Sequence, residues 1–282
     1  MNEASTMSAN KAAPSSRLMA HPFVRSVIGI VMTFAPVPLT MILASTLVDK
    51  PYRIAWPQLL AAVLSFLAYR FFVHRIEKRA LTEFGIHGAV RESLLGLGLG
   101  AGLVCAVFAL LGLLGAYRLD GMNTVTLLLA LPLAELLLVG LTEEMLFRGV
   151  VFRITEQSIG SRWAIIVSAV VFSAAHLPND GVSPVAVAAL AVYSVMQAAI
   201  YMRTRRLWMC IASHLAWNYF VGQIFSAAVS GHQAEAGLLR GELSGSSLLT
   251  GGAFGVEGSV LTLVVLCAAA ACFLRGALKR GS

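Results

Sequence analysis

Residues 142–148, Thr-Glu-Glu-Met-Leu-Phe-Arg, put two adjacent carboxylates and a guanidinium into a stretch that otherwise has the apolarity of a membrane span. An ionisable group in hydrocarbon costs at least ~2.5–3.5 kcal/mol on insertion scales, so Glu143, Glu144 and Arg148 require a partner, a water-filled cavity or a function. On a helix Glu144 and Arg148 are four apart and share a face, whereas Glu143 is turned away by about 100°. The spacing predicts a Glu144–Arg148 pair and leaves Glu143 as the unpaired carboxylate, placed to act as a general base on water. Two more apolar stretches carry polar groups. Phe172-Ser173-Ala174-Ala175-His176 closes one, and Ser213-His214-Leu215-Ala216-Trp217-Asn218 lies in another, with His214 and Asn218 four apart on one face. Histidines can position a water, and a His–Asn pair suits hydrogen bonding to a tetrahedral oxyanion. Amide hydrolysis is the reaction class that uses the whole set. Ser173 and Ser213 each stand near a motif histidine without a further base, and there is no H-E-x-x-H helix.

The elements that must position these groups are spans. Of 282 residues, 58% are hydrophobic and 12% charged, against ~25% charged in soluble domains, and the mean hydropathy is +0.80. Apolar runs near 24–48, 54–74, 93–117, 123–147, 163–178, 184–202, 207–229 and 257–275 predict an all-α polytopic membrane bundle of about eight transmembrane helices. The net charge of +7 does not point to nucleic acid, because the basic residues sort by loop rather than into one patch. Only Lys50, Arg53, Arg118 and Arg240 fall on one side. The other Lys and Arg residues, Arg148 and Arg153 among them, fall on the opposite side, which the positive-inside rule makes cytoplasmic along with both termini.

In chain order, residues 1–22 read as a disordered cytoplasmic tail rather than a cleaved signal, 23–276 as a single integral-membrane domain, and 277–282 as a second tail. Pro36 and Pro38 should kink the first span or split it into half-helices. Residues 81–90 read as a short interfacial connector. Gly96/Gly100 and Gly98/Gly102 have the small-xxx-small spacing that allows close helix approach. Glu135, at mid-depth of its run, is a supporting candidate. Residues 230–256 form the one sizeable loop, flexible or re-entrant, and Glu257 follows near the N-terminus of the last helix. Its glycines lack the context of a phosphate loop. Cys105, Cys210, Cys267 and Cys272 read as small buried hydrophobes.

Glu143-Glu144-x-x-x-Arg148, Phe172-x-x-x-His176 and His214-x-x-x-Asn218, on separate helices in that order, resemble the three motifs of the CAAX-processing and bacteriocin-processing intramembrane endopeptidases. The resemblance covers a motif core of roughly residues 130–220. It implies a bundle around a conical, cytoplasm-facing cavity, with membrane lipid and a membrane-associated or lipidated peptide as partners; no nucleic acid is expected from the charge distribution, and the short tail without accessory domains leans towards a bacterial inner membrane. By similarity Glu143 is the general base, His176 helps hold the water, and His214 and Asn218 form the oxyanion hole. Glu144, Arg148 and Phe172 shape and support the site. A metal-free route is favoured because Asn218 beside His214 suits an oxyanion; the alternative is zinc on His176, His214 and Glu144 with Glu143 as base. A membrane scaffold or bacteriocin self-immunity protein of the same fold, and a proton-coupled transporter, are the competing readings. Transporters often show internal inverted repeats, and none is evident here. One geometric demand remains: His176 lies about 20 Å of helix beyond Arg162, while Glu143 reads as near the cytoplasmic end of its span. The 163–178 helix must therefore tilt or begin outside the membrane.

Overall fold

The computed structural model describes residues 21–124, 126–233 and 237–278. The expected tails lie outside the described residues but for 21–22 and 277–278, and Pro22 already opens a helix. That helix, α1 (Pro22–Phe34), is followed after Ala35 by α2 (Pro36–Leu47). Proline at the first position of α2 has no N–H to continue the preceding ladder, which divides the span into the two expected halves. Next come α3 (Trp56–Phe71) and α4 (Ala89–Leu113). After these, α5 (Pro132–Glu144) runs through widened π-type turns over Met145–Phe152 into α6 (Arg153–Ile159) without leaving helical dihedrals. Gly160, at φ 85°, breaks the path before α7 (Ser161–Ala175). Ser183 caps α8 (Pro184–Thr204), its hydroxyl accepting from the Ala186 N–H at 3.1 Å. The remaining helices are α9 (Trp208–Tyr219), the short α10 (Ser247–Thr250) and α11 (Val260–Leu278).

Each of the eight apolar runs contains helix, and the bundle is all but entirely α-helical. Among the described residues five stretches are long and apolar enough to cross a membrane: Pro22–Leu47, Trp56–Ile76, Ala89–Leu113, Pro184–Thr204 and Val260–Ala277. The α5–α6 helix is interrupted by charge, and α7 and α9 are shorter than the ~20 residues a full span needs. Five of the expected spans thus meet the length and apolarity of a full crossing among the described residues.

Four expectations change. The run 123–147 becomes helical only at Leu127–Ala130 and Pro132, and the helix then continues to Ile159. Arg148 and Arg153 consequently sit within the bundle, 0% and 6% exposed, and are not loop charges. They resemble stop signals only until their acids are seen: Glu144 for Arg148 and Glu77 for Arg153. Second, the connector at 81–90 is partly core, since Glu83 is buried and the Phe84 ring packs edge-on against Phe66 and Trp208. Third, the 230–256 loop contains β2 (Leu239–Leu243), paired antiparallel with β1 (Tyr117–Met122) through a bulge at Leu119–Gly121. Cys105, Cys267 and Cys272 are exposed rather than buried, and only Cys210 is enclosed.

The contact that matters most for the site is α4 against α9. A Cβ on Gly96 would run into the Met209 carbonyl and Ala212, and one on Gly100 into the Ser213 carbonyl and Ala216. These two glycines thus let α9 lie directly on α4. Gly98 and Gly102 face no atom within 4 Å, so only one of the two predicted small-residue faces is used.

Candidate active site

Glu143 and Glu144 are the last α-helical residues before the turns widen at Met145. Wide turns of this kind commonly occur at functional positions because they redirect side chains by a fraction of a turn. Glu143 lies near the middle of the continuous 132–159 helix rather than at its end, which removes the depth conflict with His176. His176 stands at the C-terminal cap of the 15-residue α7, and His214 and Asn218 lie on α9 above the Gly96–Gly100 seat.

Glu144 is wholly buried, and its Oε1 accepts from Arg148 Nη1 at 3.1 Å, Gln197 Nε2 at 3.2 Å and His214 Nδ1 at 2.9 Å. Because a carboxylate oxygen can only accept here, His214 Nδ1 carries the proton, and Nε2 is the nitrogen left for other partners. The Arg148 guanidinium reaches on to the Ser194 hydroxyl at 3.1 Å and lies 5.1 Å from the Phe172 ring centroid. The i,i+4 pair expected from sequence thus forms, and Phe172 joins it as a cation–π face.

Glu143 differs. Its side chain is 25% exposed, and its enclosed Oε2 has no hydrogen-bond partner among the described residues. That oxygen lies 3.9 Å from His214 Nε2, too far for a direct hydrogen bond and a spacing that one water or one substrate oxygen bridges. His176 donates Nδ1–H to the Phe172 carbonyl at 2.8 Å, so its Nε2 offers a lone pair. Asn218 is 7% exposed, and its amide has no hydrogen-bond partner among the described residues.

Glu143, His176, His214 and Asn218 all line one open cavity of about 580 Å³. Apolar side chains of α1, α5 and α7, including Phe34, Val139 and Val171, form much of its wall, and Asn179, Ser230 and His232 add polar groups. Glu135 also lines it but is exposed and holds no other site residue. The helix order in sequence does not reveal Gln197, Ser194 and Tyr193 on α8. The available signal for Gln197 is a buried amide in an apolar span, which must be hydrogen-bonded somewhere; it bonds Glu144, the Tyr193 hydroxyl at 3.2 Å and the Cys210 carbonyl at 3.0 Å.

Of the zinc set considered from sequence, His176 and His214 line the cavity and Glu144 does not. The Glu144 Oε1 is committed to three donors. Among the described residues no three His, Cys, Asp or Glu side chains are gathered as a metal site would require.

Residues 124–220 match the family model described as type II CAAX prenyl endopeptidase Rce1-like. The matched segment contains all seven residues of the three motifs, so the resemblance read from them holds in the part of the chain that carries the site. No curated protein gives a significant match to the chain.

Proposed function

We propose that this chain, in which residues 124–220 are similar to the type II CAAX prenyl endopeptidases, is a multi-pass membrane endopeptidase that hydrolyses a membrane-associated peptide with a water activated by Glu143. The observation carrying this reading is that Glu143 Oε2, without a hydrogen-bond partner among the described residues, stands 3.9 Å from His214 Nε2 in a cavity that also holds His176 and Asn218, whereas Glu144, whose Oε2 is likewise unpaired, is wholly buried and does not line that cavity. A water between these groups has two hydrogens to donate, and Glu143 Oε2 and His176 Nε2 are acceptors for them. Glu143 takes one proton as the oxygen attacks the scissile carbonyl carbon. The carbonyl π electrons move onto oxygen, where the Asn218 amide and His214 Nε2–H donate to the oxyanion. This role needs the doubly protonated ring, with Nδ1–H on Glu144. On collapse the C–N bond breaks, and Glu143 returns its proton to the leaving amine. Glu144 and Arg148 hold the His214 ring in place from behind.

The apolar wall suits a substrate with a lipid or apolar segment, and the family suggests a prenylated C-terminus. The sorting of Lys and Arg by loop favours both termini on the cytoplasmic side of the membrane. The substrate reading is tested by incubating the purified protein, in micelles, with a prenylated reporter peptide and with its unlipidated twin, and identifying products by mass spectrometry. Cleavage at one bond of the lipidated peptide only, unaffected by a strong zinc chelator, is expected. Equal cleavage of both peptides would remove the lipid requirement, and loss with chelator that zinc restores would reject the metal-free route. A folded protein that cleaves nothing across a broad peptide panel would favour a scaffold.

A further inference from the structure

Glu257, which the proposed chemistry does not use, is 8% exposed, and both its oxygens accept hydrogen bonds. Oε1 accepts from the Trp217 indole at 2.7 Å. Oε2 accepts from the backbone N–H of Ser230 and from its hydroxyl at 2.9 Å. One carboxylate therefore joins three parts of the chain: the glycine-rich 251–258 turn, the start of the 230–256 loop, and α9 at the residue next to Asn218.

The two loop segments are shaped to bring the Ser230 donors and the Glu257 acceptor together. Ser230 has φ 48°, a left-handed conformation that few non-glycine residues adopt, and its carbonyl accepts from Asn179 Nδ2 at 2.8 Å. The next residue, Gly231, donates its N–H to the Phe254 carbonyl at 2.9 Å. Gly251, at φ 82°, folds the turn so tightly that a Cβ there would overlap the Gly255 carbonyl.

The indole that Glu257 holds is the first ring of a continuous series. Trp217 meets Tyr193 at 5.8 Å between centroids, and Tyr193 meets His214 edge-on at 5.6 Å. Tyr193 also meets Phe172 at 5.9 Å, and Phe172 meets His176 at 4.7 Å. Both site histidines thus rest on rings whose outer member is fixed by Glu257. A small cavity of about 20 Å³ is lined by Glu257, Ser230 and Trp217 and equally by His176, His214 and Asn218.

We propose that Glu257 is a positioning residue for the hydrolytic site, acting through Trp217 and the Tyr193 and Phe172 rings to set the orientation of His214 and His176. This rests on the endopeptidase reading above. Glu257 does not touch the reacting atoms, so its removal misaligns the site without removing a catalytic group. Sub-ångström to ångström misplacement of this kind lowers turnover more than binding.

The test compares wild type, Glu257→Ala, Glu257→Gln, Trp217→Phe and the Glu257→Ala/Trp217→Phe double variant, purified in micelles. Three quantities are read: kcat and KM per folded molecule on a lipidated peptide, and hydrogen exchange in the 228–232 and 251–258 peptides. Glu257→Ala and Trp217→Phe should each lower kcat about tenfold with KM within about twofold. The double variant should be no worse than Glu257→Ala alone, because the indole–carboxylate hydrogen bond that Trp217→Phe removes is already lost in Glu257→Ala. Glu257→Gln, which keeps an acceptor for the indole, should recover part of the loss, and Glu257→Ala should speed exchange in both loop peptides. Unchanged kcat in the single variants with wild type active, or losses that multiply in the double variant, would overturn the proposal while leaving the endopeptidase reading standing. An inactive wild type would remove the endopeptidase reading and this proposal with it. Should Glu257→Ala not fold, Trp217→Phe, which keeps an aromatic ring in place, decides alone.

Discussion

Glu144 accepts from Arg148, Gln197 and His214 on one oxygen in a site with no exposed surface, so each lost donor falls on a carboxylate that water cannot reach. Removing the cation from such a pair is costly: Arg148→Met is expected to destabilise the fold by ~3–5 kcal/mol. Gln197→Leu should cost ~1.5–3 kcal/mol, the worth of a hydrogen bond to a charged group, since Arg148 and His214 still donate to Glu144. Unfolding of the purified variants in micelles, followed by circular dichroism, checks both values. Glu143 is in a different position, partly exposed and with no partner to lose, so Glu143→Gln should change stability by less than ~0.5 kcal/mol. This division between the adjacent glutamates was legible in the sequence, since the i,i+4 relation assigns Arg148 to Glu144 alone. The donors from α8 were not legible. Gln197 and Ser194 reach the pair only because α8 packs on the α5–α6 helix, and no local spacing encodes that.

At the scale of elements, the site depends on how closely α9 approaches α4. Gly100→Val should push α9 off its seat, lowering both the unfolding temperature and cleavage, because the added carbons would overlap the Ser213 carbonyl and crowd the Ala216 Cβ and the Trp217 N–H. Gly98→Val, on the open face of the same helix, is the control and should leave cleavage within about twofold and stability within ~0.5 kcal/mol. Thermal unfolding and cleavage of the two variants side by side give the comparison. Sequence showed both glycine pairs as equivalent, because the spacing is identical and only the tertiary partner separates them. It also placed the end of the Glu143 helix too early. Arg148 and Arg153 have the character of membrane-stopping charges, and their burial becomes possible only through Glu144 and through Glu77, which lies far away in sequence.

Across the whole molecule, charge is concentrated at one end of the bundle. Arg206 pairs with Glu92, Arg205 with Glu156, Arg153 with Glu77, and Arg79 with both Glu77 and Glu83. Arg118 pairs with Asp120 and Glu242 at the small sheet that follows the other end of α4. The acids that pair with these basic residues were not part of the loop-by-loop sorting. Glu83 gives this end a pH dependence. Burial alone would raise its carboxyl, but the hydrogen bonds and charge of Arg79, together with the Tyr69 hydroxyl, outweigh burial and hold it below the ordinary range. A folded value below the unfolded one means stability that is fully present above about pH 4.3 and lost as pH falls through the folded value. Wild type should thus unfold at progressively lower temperature on acidification below about pH 4, and Glu83→Gln should flatten that decline; unfolding temperature against pH for the two proteins checks it.

The central claim, that Glu143 activates the water, is met most directly by one comparison. Purified wild type and Glu143→Gln, shown to have the same unfolding temperature, are given the same membrane-anchored peptide, and the rate of bond cleavage is measured for each. The account predicts a loss of roughly 10²–10⁴-fold or more in the variant. Cleavage by Glu143→Gln at the wild-type rate would contradict it.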